Sequence, residues 1–166
     1  YTVVGLADDL TPLQAGTDEL ASQIREISAA KLRLVTRVMS EILAKITAGA
    51  PATDGDDLFA VLLAGDIVYQ MAHDAPRPER STGRMVRGSD LDLVIIVDDS
   101  APPSLEESLD EAIYERKYRY LINPSIREEI DYTIKRLARM REQVGFSTFK
   151  EMVPCKILDE AVLLAG

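Results

Sequence analysis

The chain has 166 residues, 46% of them hydrophobic and 28% charged, with 19 Lys and Arg against 28 Asp and Glu and a net charge of −9. That size and balance predict one globular domain with a proper core, and the acidic excess excludes a broad basic surface for nucleic-acid backbone. The lone Cys155 permits no internal disulfide, no apolar run approaches the ~18 residues that span a bilayer, and no signal-peptide layout opens the chain, so a cytoplasmic protein with no membrane partner is expected.

The chain opens at Tyr1 without Met and closes on the apolar run Ala161 to Ala165, the ends expected of a fragment that lacks sequence on either side. Residues 1–16 carry little periodicity and read as a lead-in. From Thr17 to about Ala48 a helix is expected. Leu20, Ile24, Ile27, Leu34, Val38, Ile42 and Ile46 recur at mostly three- and four-residue intervals, Thr17 or Asp18 can cap the start, and Gly49 with Pro51 ends it. Residues 50–57 form a loop by composition. The chain thus divides into an N-terminal helical segment over 1–57, packed on a domain over 58–166.

Leu58 to Ala64 is a short apolar run broken by Gly65, and Ile67 to Met71 continues as a short turn or helix. A strand, glycine turn and helix start in succession make backbone N–H groups available to an anion. From His73 to Gly88 the composition changes to prolines and the arginines Arg77, Arg80, Arg84 and Arg87, predicting a mobile basic loop. Phosphate contact and a merely solvated insertion are both open readings of that loop. His73, the only histidine, has no Cys or His partner nearby in sequence and reads as a surface residue.

The next stretch, Gly88-Ser89-Asp90-Leu91-Asp92 followed by Leu93 to Val97, organises the domain. The β-branched run predicts a strand buried on both faces. Carboxylates at positions i and i+2 of a strand share one face, so Asp90 and Asp92 are expected side by side, an arrangement that repels unless a cation lies between them. Oxygen ligands at the start of a rigid strand suit Mg²⁺ or Mn²⁺.

Ser104, with Glu107 three residues on, predicts a capped helix to about Leu121 that turns Leu105, Leu109, Ile113 and Tyr120 inward, and Asn123-Pro124-Ser125 breaks it. Ile126 to Val144 is ambiguous. The spacing of Ile126, Ile130, Ile134, Leu137, Met140 and Val144 fits one long helix opened by Ser125 and Glu128, whereas Ile130 to Ile134 also reads as a strand with a helix from about Arg136. A last helix over about Thr148 to Asp159 and a short strand over Ala161 to Leu164 close the chain.

A strand ending in a glycine turn, followed by Ser-Asp-Leu-Asp-Leu opening a second strand, resembles the nucleotidyltransferase superfamily with the DNA polymerase β-type palm. The small bacterial members linked to toxin–antitoxin systems and antibiotic nucleotidylation are nearest in style. The resemblance spans roughly Leu58 to Leu164 and implies an α/β (α+β) fold with a mixed sheet flanked by helices. It implies Asp90 and Asp92 as catalytic metal ligands and an acid on a third strand, which favours the strand reading at Ile130 and selects Asp131. It also implies Gly65, Asp66 and Ser89 as nucleotide-binding positions, with Arg84 or Arg87 over the phosphates. The implied activity is Mg²⁺- or Mn²⁺-dependent transfer of a nucleotidyl group from a nucleoside triphosphate to an unidentified acceptor, releasing pyrophosphate. No extended nucleic-acid surface is expected, and a homo-oligomer or partner protein is left open. The chain departs from the family pattern in carrying Asp66 where Ser is usual and in the long arginine-rich segment before Asp90. Those departures support an alternative, a catalytically impaired nucleotide-binding or interaction module of the same fold.

Overall fold

The computed structural model describes residues 11–47, 58–145 and 147–166. Among these, helix α1 runs over Thr11–Thr47, six residues earlier than the periodicity indicates, so Thr17 and Asp18 lie within the helix rather than at its cap. The reason is that residues 14–20 are all exposed on the helix, where an apolar stripe gives no signal. Leu20, expected inward, is 56% exposed. The buried face lies further along, at Val35, Val38, Met39 and Ile42. The expected terminator at Gly49 and Pro51, and the loop over 50–57, lie outside the described residues.

Strand β1 is Phe59–Ala64, and Gly65–Ile67 makes one 3-10 turn. The segment expected as a mobile loop instead holds a small antiparallel hairpin, β2 (Pro76–Pro78) with β3 (Met85–Arg87). Its tip is built around Glu79. That carboxylate accepts hydrogen bonds from the backbone N–H groups and the hydroxyls of both Ser81 and Thr82, which hold its pKa far below the usual carboxylate range. The short polar side chains of Ser81 and Thr82 are what tie this turn.

Strand β4 is Leu91–Val97, helix α2 is Pro103–Ile122 and strand β5 is Ile130–Arg136, followed by α3 (Leu137–Val144), α4 (Met152–Glu160) and β6 (Val162–Ala165). The ambiguous stretch is therefore a strand and then a helix. Ser125 and Glu128 form no capping box, and Pro102 rather than Ser104 stands at the start of α2 without a side-chain cap. The sheet order is β5-β4-β1-β6, with β4 and β5 parallel and the β1 pairings antiparallel. Among the described residues, this mixed sheet with four helices is an α+β arrangement.

Alternation along β4 sorts its side chains. Leu91, Leu93, Ile95 and Val97 join Val38 and Ile42 of α1, Leu109 and Ile113 of α2, and Val61 and Leu63 of β1 in one core. Lys31 of α1 is buried with them at 3% exposure, and its Nζ donates to Glu128 Oε2 at 2.6 Å and to the Arg87 carbonyl at 3.0 Å. That contact ties α1 to the segments preceding β4 and β5. No helix among the described residues is long and apolar enough to cross a membrane.

Candidate functional site

Topology brings three chain segments to one end of the sheet. Because β1 runs antiparallel to β4, its last residue, Ala64, pairs with Asp92; because β5 runs parallel, its second residue, Asp131, also pairs with Asp92. Residues paired across a ladder point to the same face, so Asp92 and Asp131 stand on adjacent strands side by side. The strand reading of Ile130 thus puts Asp131 beside Asp92. Asp90 sits one position before β4 begins, and its carboxylate lies 3.3 Å from Arg77.

Gly65 completes this end. Its φ of +75° is left-handed, and a Cβ there would come 2.1 Å from Asp92 Oδ2. Only glycine lets the turn after β1 lie against that carboxylate. Asp66 follows. Its Oδ2 accepts a hydrogen bond from Ser89 Oγ at 2.7 Å, and the same Ser89 Oγ accepts one from the His73 N–H at 3.2 Å. Ser89 is buried, and its hydroxyl is engaged in joining the turn after β1 to the segment before β4.

The electrostatics single out Asp92. Burial, then the negative charges of Asp90, Asp131, Asp66 and Glu129 in that order, push its pKa up to about 7. Two cations border the group. Arg77 reaches Glu129 at 2.8 Å as well as Asp90, and its Nε donates to the Gly88 carbonyl at 2.7 Å; Lys117 of α2 lies 3.8 Å from Asp131. Neither cation pairs with Asp92. Among the described residues, no three His, Cys, Asp or Glu side chains converge as a metal-holding group.

No protein-family model, curated protein or solved structure matches the chain. The functional reading therefore stands on the residues and their placement.

The arginines are distributed differently from the sequence expectation. Arg84 is exposed near the hairpin tip, and Arg87 lines a cavity against α1 instead of the carboxylate end. The arginine that does reach the carboxylates is Arg77, which sequence reasoning passed over. Its only sequence signal was its place between Pro76 and Pro78, a dipeptide context that favours extended backbone and so allows a fixed side-chain direction.

Proposed function

We propose that the chain is a metal-dependent nucleotidyltransferase that transfers a nucleotidyl group from a nucleoside triphosphate to an acceptor and releases pyrophosphate. The observation that carries this reading is the register of Asp92 with Asp131 on neighbouring parallel strands, with Gly65 against the Asp92 carboxylate. The donor set fits a hard divalent cation, since every group is a carboxylate oxygen and Asp92 is destabilised as an anion by its neighbours. Asp90, Asp92 and Asp131 would hold Mg²⁺ or Mn²⁺. When bound, such ions supply Lewis-acid stabilisation of the charge on a transferring phosphoryl group.

The protein groups have separate tasks in this reading. Gly65 allows the backbone of the turn to approach phosphate oxygens without a side chain between them. Asp131, exposed at the start of β5, can accept the proton of an acceptor hydroxyl. Arg77 holds Asp90 and Glu129 in position and contributes positive charge at the edge of an otherwise acidic site. Arg84 and Arg87 have no task at the carboxylates in this arrangement. A mononucleotide substrate is consistent with the acidic surface, and so is a cytoplasmic setting.

One observation favours the second reading, an inactive nucleotide-binding module. Asp66 places a carboxylate where a phosphate-binding hydroxyl would stand, and Ser89 holds it there. Incubation with each α-labelled nucleoside triphosphate, Mg²⁺ and a cell extract separates the two. Transfer of label by the wild type and its loss in Asp92→Asn is the expected result. Absence of transfer with every triphosphate, alongside retained Mn²⁺ stabilisation, overturns catalysis and leaves the binding module.

A further inference from the structure

Arg87, displaced from the carboxylates, meets two other arginines. A cavity of about 450 Å³ lies between α1 and the residues around the end of β3, lined by Arg33 and Arg37 of α1 and by Arg87. Arg33 and Arg37 are four residues apart on the helix, so they rise from the same face. None of the three takes part in an ion pair among the described residues. Lys31 also lines the cavity, but its ammonium is engaged with Glu128 and the Arg87 carbonyl. Against the three guanidinium groups stand the carboxylates of Glu26 and Asp74, and Glu128, already paired with Lys31, lines the cavity as well.

The apolar part of the lining is Ile27, Ala30 and Leu34, and Ile27 and Leu34 are anchored against the hydrophobic core. The cavity therefore offers a fixed apolar wall beside unpaired planar cations. With Lys31 and Glu128 paired, three arginines face the two carboxylates of Glu26 and Asp74, so the lining keeps a net positive charge in a protein of net charge −9. The guanidinium fork matches phosphate oxygens two at a time. The wall suits the uncharged part of a small molecule.

We propose that this cavity binds a phosphate-bearing small molecule, with the phosphates on Arg33, Arg37 and Arg87 and the uncharged portion against Ile27, Ala30 and Leu34. Asp66, Asp90, Asp92, Glu129 and Asp131 do not line it, so the proposal stands apart from the transferase reading and needs no metal.

Isothermal titration calorimetry at low ionic strength, in the presence of EDTA, tests it with tripolyphosphate, ATP and citrate. Tripolyphosphate and ATP are expected to bind, with citrate weaker than both. Arg33→Gln/Arg37→Gln should weaken tripolyphosphate at least about tenfold, because charge-assisted contacts to phosphate are lost. Arg87→Gln, on a different element, should weaken it in the same direction. Asp92→Asn and Arg84→Gln should leave it unchanged, which separates this cavity from the carboxylate end. Full affinity in the double variant, citrate binding as tightly as tripolyphosphate, or no binding at all would overturn the proposal.

Discussion

Glu128, buried, and Asp92, half-buried, are carboxylates at the same end of the sheet, and the chain treats them in opposite ways. For both, burial is the first cause of a raised pKa. Glu128 then meets Lys31 at 2.6 Å, whose hydrogen bond and charge oppose the rise. Asp92 meets four more acids, each adding to the rise. A buried charge given a partner is a structural joint, here fixing α1 to the segment before β5. A half-buried charge surrounded by like charges is an unfavourable arrangement that folding alone gives no reason to keep. Glu129, next in sequence to Glu128, belongs with the joints, since Arg77 lies 2.8 Å from it.

The largest effect should come from breaking the joint. Lys31→Met leaves Glu128 buried without its cation and should cost about 3–5 kcal/mol, read from urea unfolding midpoints at constant slope. Lys31→Met/Glu128→Gln removes the orphaned charge and should recover most of that loss. Recovery will be partial, because the Arg87 carbonyl also loses its donor. A single variant as stable as the wild type would show that the pair carries no structural weight.

Asp92 should respond with the opposite sign. Its pKa is raised from 3.8 to about 7 in the folded chain, so between those values the folded protein holds a proton that the unfolded chain has released. Stability contributed by this group therefore falls as pH rises from about 4 to 7 and stays low above that window. The full swing is at most about 4 kcal/mol at 1.36 kcal/mol per pKa unit. Asp92→Asn should flatten the slope over this window and make the metal-free protein more stable at pH 8. The Mn²⁺-induced rise in melting temperature expected of the wild type should disappear in the variant. An unchanged pH slope would place Asp92 with the ordinary surface acids.

The contrast was partly legible in the sequence. The apolar run Leu93 to Val97 marked β4, and the acidic spacing marked Asp92. What sequence could not supply was which strands lie beside β4. Asp131 gained its place only from the β4–β5 register, a long-range pairing that local periodicity does not encode, and its own stretch fitted a helix as well as a strand. The same limit hid Lys31. A lysine on a long helix looks solvated until a glutamate 97 residues away closes over it. Arg87 was placed by proximity to Asp90 in sequence, yet it lies on a strand whose pairing with Pro76 sets its direction, and the side chain lines the α1 cavity. The hairpin was missed because its strands are three residues each and its determinants are hydrogen bonds to Glu79, which leave no apolar alternation to read.

A smaller effect sharpens the geometry beside Asp92. Gly65→Ala should destabilise by about 1–3 kcal/mol, since φ is +75° there and the new Cβ would press on Asp92 Oδ2. The two costs can be separated with Asp92→Ala. Removing that carboxylate relieves the contact but not the left-handed backbone, so the double variant should lose less than the sum of the single changes. Independent sites add within about 0.5 kcal/mol, and a discrepancy beyond that measures the contact. Gly88→Ala is the control. Its Cβ would meet the His73 carbonyl at 1.6 Å, a backbone atom that truncating Asp92 cannot move. Additivity in the Gly88 cycle together with coupling in the Gly65 cycle would establish that the turn after β1 is held against Asp92 itself. Additivity in both would separate Gly65 from the carboxylates and remove the backbone approach on which its part in phosphate binding depends.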